Sequence, residues 1–360
     1  MKNKIKAFLL CISLFSGIAF SAQKMTPEML DQQNAISVYL NSKKQEEIAK
    51  SILIFEKYSS SSPRMLYYLG LANVENKTRL LSLSKELGNR YIEQASVLGN
   101  PEAKYFIAME KIKSGDIKTG ISELKLAALK NEKKSQYQLG KMYFQGNGVP
   151  LNKKNGFKLI EASAKNNYAD AQYDLAKIYF SQKNIKTQRG GLYWLRASVK
   201  NGRLDACQDL YKIYESGIMV EKNIYLHKEY LNCSVQNNNE EAISLIAKYY
   251  ETGKYFKKSP DLANYYNEKL VHFKNAEGSY KYAIYNLNKF PKNTKKVKKA
   301  IEALKNVSSK HLESAMLLGQ IYKSGLFGER KSKKIAIEYF QSAKELGSEV
   351  AAKEIILLLN

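Results

Sequence analysis

The chain is poor in the residues that carry most catalytic and metal chemistry. Its 360 residues include three cysteines, three histidines and one tryptophan. Three cysteines do not make a disulfide scaffold. His227, His272 and His311 stand far apart, with no His-Glu-x-x-His or other paired-ligand spacing. They are assigned surface or structural roles, and no metal or cofactor is expected. Six prolines and 20 glycines exclude proline-rich linkers and collagen-like repeats. No phosphate-cradling G-x-x-x-x-G-K-S/T occurs. Acidic residues are also in deficit, 34 against 58 lysines and arginines, for a net charge of +24. With 44% hydrophobic and 26% charged residues, the chain is too apolar for disorder and far too polar for several membrane spans.

The first residues address the compartment. Lys2, Lys4 and Lys6 precede an apolar stretch from Ala7 through Phe20, and small residues follow at Ala19, Ser21 and Ala22. This is the three-part pattern of a secretory leader. Cleavage after Ser21 puts Ala19 and Ser21 at the small-residue sites, whereas cleavage after Ala22 puts Phe20 there, a poorer fit. The stretch is short for a membrane span, which needs ~20 residues. Cys11 follows Leu10 rather than a small residue, unlike a lipoprotein site. Residues 1–22 are therefore read as a signal peptide, and the remainder as periplasmic or secreted, with no membrane span. Removing the three leader lysines lowers the net charge from +24 to +21, and of the cysteines only Cys207 and Cys233 remain.

Beyond the leader, a period of about 36 residues runs through the chain. In the segment 139–146, Leu139-Gly140-Lys141-Met142-Tyr143-Phe144-Gln145-Gly146, the tyrosine recurs at Tyr179, Tyr214, Tyr250 and Tyr322, and the one missing position falls on Asn286. The small residue at Gly140 recurs as Ala176, Ala247, Ala283 and Gly319, with Tyr211 as the exception. A second phase holds Ala128, Ala164, Val199, Val235, Val271 and Val307. Two phases kept over six units mark a repeat architecture. Tyr137, Leu139, Met142 and Tyr143 have helical spacing, Gly146 suits a helix C-cap, and Asn147-Gly148-Val149-Pro150 is a turn. A second helical pattern runs through Phe157, Ile160, Ala162 and Ala164. A lone pair of such helices cannot bury its apolar face, but a stack of pairs can.

These residues resemble the Sel-one-like repeat (SLR) family, relatives of tetratricopeptide repeats. The match is carried by Tyr137, Leu139, Gly140, Tyr143, Gly146, Gly148 and Val149, and by Trp194, Ala197 and Gly202. The resemblance implies an all-α fold, a right-handed α/α solenoid of helix-turn-helix repeats over residues 63–360, about eight units. Units near 63–134 and 276–310 are degenerate. Residues 23–62 are expected to form an N-terminal helical cap. Thr26-Pro27-Glu28 reads as a helix start, and residues 43–58 as a second helical pattern.

The resemblance further implies a non-catalytic scaffold or adaptor for protein–protein interaction, binding a partner on the concave face. Some exported proteins of this type neutralise a secreted toxin such as a phospholipase, which makes an immunity-type inhibitor the alternative. A second alternative is a cell-wall-related enzyme that recognises β-lactams. Ser82-Leu83-Ser84-Lys85 and Ser122-Glu123-Leu124-Lys125 match S-x-x-K, and Lys118-Thr119-Gly120 matches K-T-G. All three are expected within helical repeat sequence, whereas that chemistry needs K-T-G on a strand.

Two constellations remain. Cys207 begins the first helix of one unit and Cys233 lies near the end of its second helix, so antiparallel pairing brings them level. They are either a disulfide, permitted in an oxidising compartment, or two small buried thiols, since Cys233 takes the slot of Ala162 and Ala197. Lys141, Lys177, Lys212 and Lys248 hold one position in four successive units. They are either a lysine ladder that attracts an acidic protein partner or a solvated helix face. Nucleic acid is not expected as a partner, because export removes the chain from it and the aromatics keep core phases.

Overall fold

The structure, a computed structural model, describes residues 25–182, 184–218 and 220–359. Among them are 19 α-helices and no strand. In chain order they are α1 (Pro27–Asn41), α2 (Gln45–Tyr58), α3 (Pro63–Glu75), α4 (Lys85–Val97), α5 (Pro101–Lys113), α6 (Ile117–Leu129) and α7 (Lys133–Gln145). Then come α8 (Lys153–Lys165), α9 (Ala169–Phe180), α10 (Ile185–Lys200), α11 (Cys207–Ser216), α12 (Ile224–Gln236) and α13 (Glu240–Thr252). The last are α14 (Pro260–His272), α15 (Ala276–Lys289), α16 (Thr294–Lys305), α17 (Leu312–Ser324), α18 (Lys333–Glu345) and α19 (Glu349–Leu359). Odd-numbered helices open each pair and even-numbered ones close it. The degenerate stretches 63–134 and 276–310 are built the same way, as α3–α6 and α15–α16.

Local chemistry explains the boundaries. Four of the sparse prolines, Pro27, Pro63, Pro101 and Pro260, stand in the first turns of α1, α3, α5 and α14, where no backbone donor is lost. The residue before each accepts a hydrogen bond from the third helical amide, as Ser62 does from Met65. Glycine ends the first helices α7, α11, α13 and α17 in the left-handed region, with φ of 71°, 72°, 82° and 70° at Gly146, Gly217, Gly253 and Gly325. Helix α16 shows why the helices pack. It buries Val297, Ala300, Ile301 and Leu304 on one stripe and turns Lys295 and Lys298 outward.

The residues fall into two compact units, one ending at Gly156 and the other running from Phe157. In the first, Tyr39, Phe55 and Tyr68 form a chain of rings, with centroids 5.5 Å apart at each step, that links α1, α2 and α3. Helices α3 and α4 approach through Gly70 and Gly88. A Cβ on Gly70 would lie 2.8 Å from the Gly88 carbonyl oxygen, and one on Gly88 would lie 2.7 Å from that of Gly70.

The second unit repeats one hairpin design, and the recurring tyrosine is its hinge. The carbonyl of Tyr214 accepts from the Asn223 amide at 3.2 Å, that of Tyr250 from Ser259 at 2.9 Å, and that of Tyr322 from Ser332 at 2.9 Å. Each donor is the N-cap of the following helix. The same rings stack on a tyrosine of that helix. Tyr214 pairs with Tyr230, Tyr250 with Tyr266, and Tyr322 with Tyr339, each at 5.8 Å. Such stacks add ~0.5–1.5 kcal/mol beyond the area they bury. Asn286 breaks the series. It is buried, and its amide donates to Asn264 Oδ1 at 3.1 Å and to the Tyr282 carbonyl at 2.8 Å.

Neighbouring first helices of this unit run parallel. Near their N-terminal ends Gln208 of α11 donates to Glu241 of α13 at 2.6 Å, and near their C-terminal ends Tyr249 of α13 donates to Glu215 of α11 at 2.7 Å. The His311 imidazole of α17's N-cap lies 3.5 Å from Glu277 of α15, again joining starts to starts. All first-helix ends therefore emerge at one edge.

Candidate functional site

The first helices of the second unit present a polar face knitted by cross-helix bonds. Tyr173 of α9 donates to Asp209 of α11 at 2.9 Å. Lys212 pairs with Glu241 at 2.8 Å, Lys281 with Glu251 at 2.8 Å, and Lys323 with Glu354 at 2.6 Å. The lysine register sits on this face. Lys212 and Lys248 are exposed, and so is Lys177, whose ammonium lies 4.4 Å from the Tyr173 ring centre. Lys212 is neutralised by Glu241. Lys248 lines a shallow cleft with Glu240, Glu241, Ser244, Leu245 and Asn275. Lys141 belongs to the first unit, on α7, half-buried with its ammonium 5.2 Å from the Tyr137 ring centre.

A second cleft, of about 600 Å³, lies between α14 and α15, with Glu251 of α13 at its margin. Asn264, Asn267, Ile284 and Tyr285 supply a mixed wall, and Lys281 is held there by Glu251. Asn267 is 4% exposed and donates to Glu251 at 3.3 Å. Amide and hydroxyl groups beside apolar wall suit a partner's side chain and backbone. The sequence trace of this cleft is the departure from the tyrosine phase of Asn286, which donates to Asn264 of the cleft wall.

Two carboxylates of these first helices, Glu354 and Glu215, titrate low. The ammonium of Lys323 holds the Glu354 carboxyl below its ordinary 4.5. Burial would raise Glu215, but bonds from the Tyr249 hydroxyl and the Lys254 ammonium outweigh it and leave it lowered. A carboxyl whose pKa falls on folding adds stability above its unfolded value and loses that contribution as pH drops through the lowered one. Thermal melts are therefore expected to hold steady through neutral pH and to fall once pH drops below about 4.5, less steeply in Glu354→Gln. Identical acid profiles for the two proteins would contradict this.

The remaining sequence candidates separate clearly. Cys207 and Cys233 are joined by a disulfide between α11 and α12, with Cα atoms 6.0 Å apart. Lys118-Thr119-Gly120, Ser122 and Lys125 lie in α6, not on a strand. Ser82 and Ser84 correct the expectation that all the short motifs are helical: they precede α4, and Ser84 is its N-cap. His227 is fully buried, and its Nδ1 lies 2.9 Å from the Tyr211 carbonyl oxygen. His311 caps α17. Among the described residues no group of three or more His, Cys, Asp or Glu is placed to hold a metal ion, and no helix is long and apolar enough to cross a membrane. Residues 1–22, read as a leader, lie outside the described residues.

Four segments, residues 133–168, 169–202, 240–269 and 312–348, match the Sel1 repeat family. The chain carries Sel1 repeats. Their fold is a protein-interaction scaffold, generally without catalysis. No curated protein sequence matches this one. Among solved structures, c5321, a protective antigen present in uropathogenic Escherichia coli strains displaying an SLR fold, is 20% identical with a TM-score of 0.63. The alignment covers 83% of this chain and 65% of that one, so the chain spans about two thirds of its length. A Sel1 repeat protein from Oxalobacter formigenes is 17% identical with a TM-score of 0.50, covering 97% of this chain and 99% of that one. Immunity protein Pa5087 from Pseudomonas aeruginosa is 17% identical with a TM-score of 0.45, covering 59% of this chain and 83% of that one. At these identities the likeness is one of fold, an all-α solenoid of helix pairs. Residues 203–239, the α11–α12 hairpin with the disulfide, lie between matched Sel1 repeats and are unmatched.

Proposed function

We propose that this Sel1-repeat chain is an exported, non-catalytic adaptor of the bacterial cell envelope that holds an acidic protein partner on its first-helix face. One observation carries the reading. Lys177, Lys212 and Lys248 keep a single position on successive first helices of the second unit, and among the described residues only Lys212 of these three has an ion-pair partner. Charges so arranged speed encounter with an acidic surface and make it salt-sensitive. The leader pattern of residues 1–22 supports the envelope as the compartment.

The test is capture from an envelope fraction by the chain lacking residues 1–22. The parent is compared with a variant carrying Lys141→Glu, Lys177→Glu, Lys212→Glu and Lys248→Glu. The expected result is one acidic protein retained at low salt, released by added salt and lost in the variant, with helicity by circular dichroism unchanged. Capture that is equal in both proteins refutes the reading. A secreted toxin as the retained protein would make the chain an immunity-type inhibitor.

A further inference from the structure

The two edges of the second unit differ in charge: one is mixed and the other basic. Parallel first helices bring their starts to one edge, with an acidic residue in every first turn, from Asp170 of α9 to Glu349 of α19, and with Lys200, Lys274 and Lys344 where the second helices return. The turns into the second helices lie at the other edge and are basic. Lys257 and Lys258 stand before α14, Lys292 and Lys295 flank the start of α16, and Lys333 and Lys334 open α18. All six are exposed, and among the described residues none is ion-paired.

Fold stability does not account for this row. Glutamates at helix starts complement the helix dipole, whereas lysines at the starts of α16 and α18 oppose it. Apolar side chains stand exposed along the same edge. Ile218, in the turn after α11, is 81% exposed, Tyr225 in the first turn of α12 is 76% exposed, and Leu326 in the turn after α17 is 44% exposed. A basic row interleaved with exposed apolar and aromatic groups has the chemistry of a peripheral contact with an anionic bilayer, where the charges meet headgroups and the apolar groups enter the interface.

We propose that the hairpin-turn edge of the second unit docks on an anionic phospholipid surface. A nucleic acid would use the same charge but has no use for an exposed isoleucine and leucine. The surface is separate from the first-helix face, so partner capture and lipid docking can occur together.

Co-sedimentation of the full chain with vesicles of phosphatidylglycerol and phosphatidylcholine, against phosphatidylcholine alone, tests this. The rim variant carries Lys257→Gln, Lys258→Gln, Lys333→Gln and Lys334→Gln. A charge-matched control carries Lys200→Gln, Lys274→Gln, Lys344→Gln and Lys353→Gln. All three proteins have the same N-terminal segment, so their differences report the rim. Removing cations from the start of α18 favours that helix, so loss of folding is not expected in the rim variant. The parent is expected to prefer anionic vesicles, weakened by salt. The rim variant should lose at least about tenfold in affinity, and the control should stay close to the parent. Ile218→Ser with Leu326→Ser should weaken binding without abolishing its salt dependence. Equal losses in rim variant and control would reduce the effect to net charge and overturn the proposal. So would equal binding to neutral vesicles, or rim-dependent binding to soluble heparin without vesicle binding.

Discussion

Replacing Phe340 with alanine is expected to destabilise the second unit by about 3–5 kcal/mol. The ring, on α18, is fully buried and lies over Gly319 of α17. A Cβ at Gly319 would sit 2.5 Å from Phe340 Cε1. Gly319 is therefore the space the ring occupies, and Gly319→Ala should itself cost about 1–3 kcal/mol, the range for overpacked cores. The two sites are coupled. In the Phe340→Ala background the ring is gone, and Gly319→Ala should cost far less than it does alone. Urea titrations of the parent, both single variants and the double variant measure this. Strict additivity would show that the glycine serves something other than the ring. Each hairpin buries its apolar stripe only against its neighbours, so the loss should spread to α15–α16 and α19 rather than stay local.

The repeat, its period and its helix pairs were legible because they rest on residues at fixed phases. The tyrosine phase marked the hairpins that begin with α11, α13 and α17, although its physical content there, a carbonyl bonded by the next helix's N-cap amide, is a backbone property and leaves no sequence trace. Prolines and glycines gave boundaries because each has one cheap use there. The cleft beside Asn267 was legible only as the Asn286 exception, since its volume arises from how α14 and α15 pack. The basic row of the hairpin-turn edge was hidden for a related reason. Its lysines lie in separate turns, and only the parallel packing of first helices brings those turns to one edge. Tyr211 stood out as an exception to the small-residue slot, but its partner His227 did not, because a buried histidine has no pattern of its own.

That exception leads to the second large effect. Where other hairpins cross through glycine or alanine, α11 and α12 cross through Tyr211 and His227, whose rings stand edge to face with centroids 6.0 Å apart. The imidazole Nδ1 meets the Tyr211 carbonyl, while Nε2 and the Tyr211 hydroxyl are buried without a hydrogen-bond partner. Unpartnered buried groups of this kind cost about 1–3 kcal/mol each. The hairpin with the poorest crossing is thus the one that holds the Cys207–Cys233 disulfide, which closes a separation of 26 residues. A loop of that length restricts the unfolded chain by about 3 kcal/mol. Dithiothreitol is therefore expected to lower the stability of the second unit by about that amount, and Cys207→Ala with Cys233→Ala should reproduce the loss and no longer respond to reductant. The α11–α12 hairpin sits between α9–α10 and α13–α14, so its release removes an interface on each side, and amide exchange should quicken in all three pairs together. A parent protein whose melting and exchange ignore reductant would show that the Tyr211–His227 crossing holds the hairpin unaided.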